Sequence, residues 1–159
     1  MKITLFCFGK LKEAFWKDAC ADYLKRLQPY AKTEIVEFPD EPIEDSPTPA
    51  EIEKVKAKEG EKVLDKLPSG AFLIAFDGGG KTMDSVAFSS FLETSFVRGA
   101  SHVYFVIGGS LGLSCEVKKR ADYLLSFGPM TFPHNLARVM ALEQLYRAFK
   151  IARHEPYHK

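Results

Sequence analysis

The feature that most restricts the fold of this chain is a regular alternation of short apolar runs with segments of helical periodicity. Five runs have the length and composition of buried strands: residues 3–8, 33–38, 71–76, 102–107 and 123–127. Between them, apolar residues recur every three or four positions, as on one face of a helix. Apolar strands that alternate with helices are typical of parallel sheets. We therefore predict one α/β domain over residues 1–159, with a mostly parallel sheet flanked by helices.

Local signals indicate where the intervening helices begin. A helix with Trp16 on its apolar face follows the first strand, and a second helix begins at a capping box formed by Thr48 and Glu51. Gly60 is expected to weaken the middle of this second helix. Further helices are expected from about Ser85 and over residues 115–121.

The last helix is predicted to begin at Pro133 and to run to about Arg153. Its polar positions form a narrow stripe: Glu143, Arg147, Lys150 and His154. Apolar residues cover most of the remaining circumference, which is more than contact with one sheet requires. We therefore expect this helix to be buried against a second subunit, in a homodimer.

The composition is that of a globular protein. The 159 residues are 46% hydrophobic and 27% charged, and no apolar run approaches the roughly 20 residues that span a bilayer. The apolar N-terminus lacks a cleavage site and is expected to be a strand rather than a signal peptide. Cys7, Cys20 and Cys115 are far apart, so we expect all three to be small apolar core residues. Cysteines of this kind indicate a reducing cytoplasm. No membrane partner is expected.

Charge is distributed unevenly, although the net charge is only +1. Acidic residues dominate between Glu34 and Glu61, and basic residues dominate after Phe132. Proteins that bind naked nucleic acid by themselves are usually far more basic, and no DNA partner is expected. The basic C-terminal part can still bind phosphate locally. A solvated helix face explains the excess of basic residues there equally well.

Glycine-rich turns follow the third and fourth predicted strands, at the edge of a parallel sheet where ligands usually bind. The first turn ends in Gly80-Lys81-Thr82, but position 75, where a phosphate loop needs its first glycine, is Ala75. Residues 108–112 have neither the spacing nor the position of a dinucleotide fingerprint. Both turns are interpreted as places where backbone approaches a flat ligand, with an ordinary tight turn as the alternative.

The last six residues combine histidine, tyrosine and lysine side chains. His154 and His158 have the spacing of one helical face, but Pro156 lies between them and no third ligand is evident, so no metal site is predicted. Aromatic and basic groups together suit stacking on an unpaired base and contact with its phosphates. A disordered terminus is the alternative.

Several stretches, taken together, resemble one family. They are the opening KITLFCFGK, Asp77-x-x-Gly80-Lys81 after the third strand, FVIGGSLGL at 105–113, LSFGPMTFPH at 125–134, EQLYRAFKI at 143–151 and the final YHK. The joint pattern spans the whole chain. It resembles the RlmH family of ribosomal RNA large subunit methyltransferases, which belongs to the SPOUT class.

The resemblance implies a SPOUT-type fold with a C-terminal trefoil knot, a homodimer, and S-adenosylmethionine as cofactor. It also implies methylation of N3 of a pseudouridine in 23S rRNA on the assembled ribosome. By position, the cofactor contacts would be Phe76, Gly108, Phe127, Gly128, Pro129, Met130, Thr131 and Phe132. The catalytic and RNA-side candidates would be Arg147, Tyr157 and His158.

Two alternatives to this function remain open. One is a SPOUT methyltransferase that acts on another RNA base. The other is a non-catalytic dimer that binds a nucleotide-like ligand and has a regulatory role. Removal of the last residues separates the classes, because it should abolish methyl transfer but leave the function of a binding module intact.

Overall fold

The computed structural model describes residues 1–99 and 101–159, in which strands and helices alternate as predicted. The strands are β1 (Lys2–Phe8), β2 (Lys32–Phe38), β3 (Phe72–Lys81), β4 (His102–Ile107) and β5 (Tyr123–Leu125). The helices are α1 (Ala14–Leu27), α2 (Pro49–Lys66), α3 (Ser85–Arg98), α4 (Cys115–Arg120) and α5 (His134–Ala152). The prediction of a single α/β domain is confirmed.

The five strands form one parallel sheet in the order β2-β1-β4-β3-β5. Because every strand runs in the same direction, the loops that follow β1, β3, β4 and β5 meet at one edge of the sheet. This is the edge at which parallel α/β sheets usually bind ligands. The order of the strands therefore brings together loops that are far apart in sequence.

Both faces of the sheet are buried, because alternate residues of each strand point to opposite sides. Leu5 of β1 and Phe105 of β4 belong to the cluster that packs against α1, α3 and α5. Phe6 of β1 and Val106 of β4 belong to the cluster beneath α2 and α4. Burial on both faces explains why the strands read as continuous apolar runs.

Helix α5 packs between α1 and α3, and each of its 19 residues is buried or half-buried. The wide apolar face that suggested a second subunit is therefore largely covered within one chain, and the homodimer stays a prediction. Among the described residues, no helix combines the length and hydropathy needed to cross a membrane.

Two strand boundaries differ from the prediction. Strand β3 does not end at residue 76 but continues to Lys81, which pairs with Leu125 of β5 after an irregularity. Gly80 allows this, because a Cβ there would lie 2.7 Å from the backbone carbon of Leu124. Strand β5 ends at Leu125, two residues earlier than predicted, because the chain turns at Ser126.

Helix α2 begins at the predicted capping box. The side chain of Thr48 accepts a hydrogen bond from the Glu51 amide at 3.3 Å, and the Glu51 carboxylate accepts one from the Thr48 amide at 2.7 Å. Gly60, which was expected only to weaken the helix, is buried, and a Cβ there would lie 2.3 Å from Oγ of Ser114. Its small size lets α2 approach the start of α4, where Ser114 is the N-cap.

The cysteines divide into two groups. Cys7 and Cys20 are buried, as expected, and burial raises the pKa of the Cys7 thiol to about 12, so that it remains neutral. Cys115 is exposed at the first position of α4. The expectation that all three are core residues is therefore wrong for Cys115.

One charged side chain lies in the core between α5 and the ligand-binding edge of the sheet. Arg138 is 1% exposed. Its Nη2 donates to the carbonyl oxygens of Phe8 at 3.3 Å and Gly9 at 3.0 Å, and its Nη1 donates to the Glu37 carboxylate of β2. A buried guanidinium is tolerated only when it is paired in this way. Arg138 thus joins α5 to the carboxyl ends of β1 and β2.

We expect Arg138→Met to lower the free energy of unfolding by about 3 kcal/mol or more, because it leaves Glu37 and two buried carbonyl groups without their donor. Chemical denaturation of the purified variant measures this. Arg98→Met, at the exposed end of α3, is the control and should cost less than about 1 kcal/mol. Equal stability of both variants would show that the buried guanidinium does not hold α5 in place.

Candidate functional site

A cavity of about 710 Å³ opens where the loops after β3, β4 and β5 meet. This volume lies within the range of small-molecule sites. All eight cofactor contacts that the resemblance implies line the cavity: Phe76, Gly108, Phe127, Gly128, Pro129, Met130, Thr131 and Phe132. The structure brings these positions together, whereas their contact with a cofactor stays a prediction.

The loop after β4 is shaped by glycines that no other residue could replace without movement of the backbone. A Cβ on Gly108 would lie 2.6 Å from the carbonyl carbon of Gly112. Gly112 itself has a φ of +85°, and its amide donates to the carbonyl of Gly109 at 3.1 Å. The sequence-based interpretation of 108–112 as a close-approach turn is consistent with this geometry.

The loop after β5 is shaped by a hydroxyl that sequence reasoning missed. Ser126 is buried, and its Oγ accepts from the amide of Gly128 at 3.1 Å and donates to the carbonyl of Gly128 at 3.2 Å. Gly128 has a φ of +118°, which favours glycine. A serine followed two residues later by glycine is a known turn signal and could have located this feature.

The glycine stretch at the end of β3 is held by Asp77. Its Oδ2 accepts from the amide of Gly79 at 3.0 Å, and its Oδ1 forms an ion pair with Nζ of Lys118 at 2.7 Å. Asp77 thus fixes a wall of the cavity to α4. In the described part of the chain, no group of three or more histidine, cysteine or acidic side chains is placed to hold a metal ion.

A second cavity of about 590 Å³ lies between α3 and the outer side of α5. Four residues line both cavities: Phe76, Leu125, Ser126 and Phe127. The rings of Phe76 and Phe127 are stacked, with centroids 4.5 Å apart and an interplanar angle of 11°. We call this pair the shared wall. Beyond it, the second cavity has polar groups on Asp84, Ser85, Glu143, Gln144 and His158.

The C-terminal tail, residues 153–159, folds back along α5 and is not a disordered terminus. The reversal occurs at His154, which has a left-handed φ of +53°. Oε2 of Glu155 then accepts hydrogen bonds from the hydroxyl of Tyr30, in the turn after α1, at 2.5 Å and from Nζ of Lys150 at 2.7 Å. These contacts hold the tail against α5 and the turn after α1.

The fold of the tail brings the three catalytic candidates together. The guanidinium of Arg147 lies 4.7 Å from the ring centroid of Tyr157, and its Nη1 lies 3.4 Å from Nδ1 of His158. His158 also lines the second cavity. Arg147 therefore forms one group beside the shared wall with two tail residues that lie ten and eleven positions after it.

Glu143 organises this group and was not predicted as a site residue. Its Oε1 accepts hydrogen bonds from Nε of Arg147 at 3.0 Å and from the hydroxyl of Tyr157 at 3.1 Å. Its Oε2 accepts from Gln144, whose own carbonyl oxygen accepts from Ser85 of α3 at 2.9 Å. The four-residue spacing of Glu143 and Arg147 was the available sequence signal.

The surroundings of Tyr157 and Arg147 keep both groups protonated. Burial, with hydrogen bonds to Tyr23 and Glu143, raises the pKa of the Tyr157 hydroxyl above its ordinary value of 10. The hydrogen bond with Glu143 is the main cause that raises the pKa of Arg147. At neutral pH both side chains are therefore hydrogen-bond donors and not proton acceptors.

Comparison with known proteins identifies, over the whole chain, the family that the sequence resembles. A family model described as predicted SPOUT methyltransferase matches residues 1–158. The ribosomal RNA large subunit methyltransferase H of Carboxydothermus hydrogenoformans is 52% identical over 159 residues and all of both chains. The proteins of the same name from Clostridium perfringens and Clostridium acetobutylicum are 52% and 51% identical, also over both full lengths.

Solved structures resemble the fold at low sequence identity. A methylase family protein from Haemophilus influenzae matches with a TM-score of 0.53 and 13% identity, over 99% of this chain and 70% of the other. A methyltransferase from Legionella pneumophila, solved with bound S-adenosylmethionine, matches with a TM-score of 0.50 and 15% identity, over 94% of this chain and 66% of the other. These likenesses support the architecture alone.

We expect Gly108→Ala to weaken the binding of S-adenosylmethionine at least tenfold, because the new methyl group would force the Gly108–Gly112 turn to open. Isothermal titration calorimetry measures the affinity. Gly78→Ala is the matched control, since a Cβ at that cavity-lining position meets nothing within 4 Å. Unchanged affinity in Gly108→Ala would show that the shape of this turn is not needed for the cofactor.

Proposed function

Because the chain belongs to the SPOUT methyltransferase family, we propose that it transfers a methyl group from S-adenosylmethionine to N3 of a pseudouridine in 23S rRNA, on the assembled ribosome in the cytoplasm. The relatives named above, which are ribosomal RNA methyltransferases, support the class of substrate. The observation that carries the proposal is the pair of cavities that share the wall of Phe76 and Phe127, with His158 at the second cavity.

The first cavity fits the cofactor. Its lining offers the apolar ring of Phe132 to adenine, and backbone amides and carbonyls in the loops after β4 and β5. The turn at Gly108 leaves room that a Cβ would fill. S-adenosylmethionine supplies an electrophilic methyl group on a sulfonium. The residues of this cavity bind the cofactor, orient it toward the shared wall and exclude water.

The second cavity fits a base that has left its stack. Val139 and Met140 give it apolar surface beside Phe127, and Gln144 and His158 offer hydrogen-bonding groups. Enzymes that modify a base inside a folded RNA take that base into a pocket of this mixed kind. N3 of a pseudouridine held here would meet the methyl group beside the rings of the shared wall and not across them, because the reacting atoms must come within about 3.5 Å of each other.

Methylation of N3 requires that the imide proton leave the base. Tyr157 and Arg147 are poor acceptors, because their raised pKa values keep both protonated. Arg147, whose Nη1 does not bind Glu143, is suited to stabilise the negative charge that develops on the base, as a hydrogen-bond donor. The single hydroxyl proton of Tyr157 is donated to Glu143, so Tyr157 positions that carboxylate. His158 is the remaining candidate in the group, and we propose that its imidazole takes the proton. Alignment of N3 with the methyl carbon supplies the rest of the catalysis.

The proposal includes a homodimer and the knotted form of the family fold. Val139 and Met140 on the outer side of α5 are only half-buried, and Met130 in the loop after β5 is 72% exposed. These side chains provide apolar surface near the site for a second copy of the chain. The knot stays a prediction.

The first test is methyl transfer from labelled cofactor to ribosomal substrates that lack this modification. Intact 70S ribosomes, isolated 50S subunits and naked 23S rRNA are compared, and the labelled nucleoside is identified after digestion. We expect label in N3-methylpseudouridine with 70S ribosomes only. Label in a different base would assign another RNA methyltransferase, and no label would contradict the proposed substrate.

The same assay examines the tail. Removal of residues 157–159 should abolish methyl transfer and leave cofactor affinity unchanged, because none of them lines the first cavity and His158 lines the second. His158→Gln keeps a hydrogen-bonding side chain without the base and is the subtler variant. Full methyl transfer by the truncated chain would exclude the tail from the reaction. Absence of methyl transfer by the full-length chain, with cofactor affinity intact, would favour a regulatory, ligand-binding role.

A further inference from the structure

Helix α2 contacts the loop after β4 through residues that do not line the first cavity. Glu59 and Gly60, which are consecutive in α2, meet the two ends of that loop. Oε2 of Glu59 lies 3.2 Å from the point that a Cβ on Gly109 would occupy. Gly60 leaves no room for a Cβ beside Oγ of Ser114. Because Gly109 lines the first cavity, α2 touches the turn that shapes the cofactor site.

Glu59 is buried although it carries a carboxyl group. The residue is 6% exposed, and its Oε1 accepts a hydrogen bond from the amide of Glu41, in the loop after β2, at 3.2 Å. Among the residues that the structure describes, this is the one hydrogen bond that the carboxyl group of Glu59 makes. A buried carboxyl group with a single donor is held more easily as the neutral acid than as the carboxylate.

A second carboxyl group adjoins the same turn. Oδ1 of Asp40 lies 3.6 Å from the Cβ position of Gly109, so Asp40 and Glu59 flank one glycine. Burial is the main cause that raises the pKa of the Glu59 carboxyl above its ordinary value of 4.5, and the charge of Asp40 raises this pKa further. Ionisation of Glu59 would therefore place two like charges beside the backbone of Gly109.

The other charged groups that face Glu59 compensate little for this repulsion. Lys62 of α2 lowers the pKa of Glu59, but its Nζ forms an ion pair with the Glu41 carboxylate at 2.8 Å. Lys58 also lies nearest to Glu41, at 4.0 Å. The loop after β4 adds no titratable side chain, since residues 108–114 are glycine, serine and leucine. The protonation of Glu59 is therefore the variable charge at the back of this loop.

We propose that Glu59 is a positioning residue for the cofactor, which as a neutral acid holds the Gly108–Gly112 turn against α2 in the shape that binds S-adenosylmethionine. Ionisation of Glu59 beside Asp40 would push the carboxyl groups apart and displace Gly109. This rests on the cofactor cavity of the proposed function and not on the RNA target. It adds a residue of α2 that neither the resemblance nor the comparisons assign to the site.

The direction of the pH dependence follows from a comparison of two forms of the turn. In the closed form, which the structure shows, Glu59 is buried and its pKa is raised. In an open form, with Gly109 displaced, water reaches the carboxyl group and its pKa returns toward 4.5. Between 4.5 and the raised pKa, the open form loses its proton and the closed form keeps it, so the closed form becomes less favourable as pH rises. Because the cofactor binds the closed form, its affinity should fall with rising pH.

Isothermal titration calorimetry of the full-length protein with S-adenosylmethionine tests this between about pH 5.5 and about pH 8. The wild-type affinity should fall about three- to tenfold over this range. Glu59→Gln keeps an acceptor for the Glu41 amide but cannot ionise, and it should retain the highest wild-type affinity at every pH. Glu59→Ala should weaken binding about fivefold or more even at the lowest pH, because the contact with the turn is lost.

Two controls isolate the effect of Glu59. Glu61→Gln removes a carboxylate at an exposed position of the same helix and should follow the wild-type pH profile. The amino group of the cofactor titrates equally with every variant, so the difference between wild type and Glu59→Gln reports Glu59 alone. Chemical denaturation at neutral pH should show that Glu59→Gln is at least as stable as the wild type, so that any loss of binding by this variant is not unfolding.

The outcomes separate this inference from the proposed function. A wild-type pH profile that Glu59→Gln does not flatten would overturn the inference. Weak binding by Glu59→Gln at every pH would also overturn it, because the charge of the carboxylate would then be required. Because calorimetry needs no RNA, absence of methyl transfer to ribosomes would contradict the proposed target and leave this result standing. Absence of cofactor binding by the wild type would overturn both.

Discussion

The guanidinium of Arg138 sets the position of α5, and the rest of the site depends on where α5 lies. This helix begins directly after the loop that closes the first cavity and ends in the tail that reaches the second. The bonds from Arg138 to the carbonyls of β1 and to Glu37 of β2 fix its first turns at the ligand-binding edge of the sheet. A buried charge with several partners gives one orientation, whereas apolar packing alone tolerates small slips.

The site has two compartments because backbone segments approach one another closely at that edge. Gly80 lets β3 run against β5, and Gly108 lets the turn after β4 close on itself. Phe76 and Phe127 can then stack between the cavities. A cofactor on one side and a base on the other would meet at the edge of the two rings, since the reacting atoms must come within about 3.5 Å of each other. Glu143 holds Arg147 and Tyr157 by hydrogen bonds. Separate compartments allow cofactor and RNA to bind by different residues.

Strand and helix order followed from periodicity because both faces of the sheet are buried, and the eight positions that the resemblance implied all line the first cavity. The errors have physical causes. The sequence predicts the end of the third strand at Phe76, because glycines usually mark turns. Gly80 instead lies within β3, where it lets the backbone of β3 approach that of β5. Contacts of α5 with α1 and α3 on two sides leave no mark in the sequence of one helix, so its wide apolar face did not predict them; the second subunit stays a prediction. Arg138 acts through groups distant in sequence, which spacing cannot show, and Glu143 joins Arg147, four residues away, to the more distant Tyr157.

The central claim is that the cofactor and the target base occupy adjacent cavities on either side of the shared wall. A crystal structure of the protein with S-adenosylmethionine tests it most directly. The account predicts adenine within the loop of residues 127–132 and the transferable methyl group directed past the edge of Phe76 and Phe127, toward the cavity that His158 lines. A cofactor bound in the other cavity, or one whose methyl group points away from the shared wall, would contradict it.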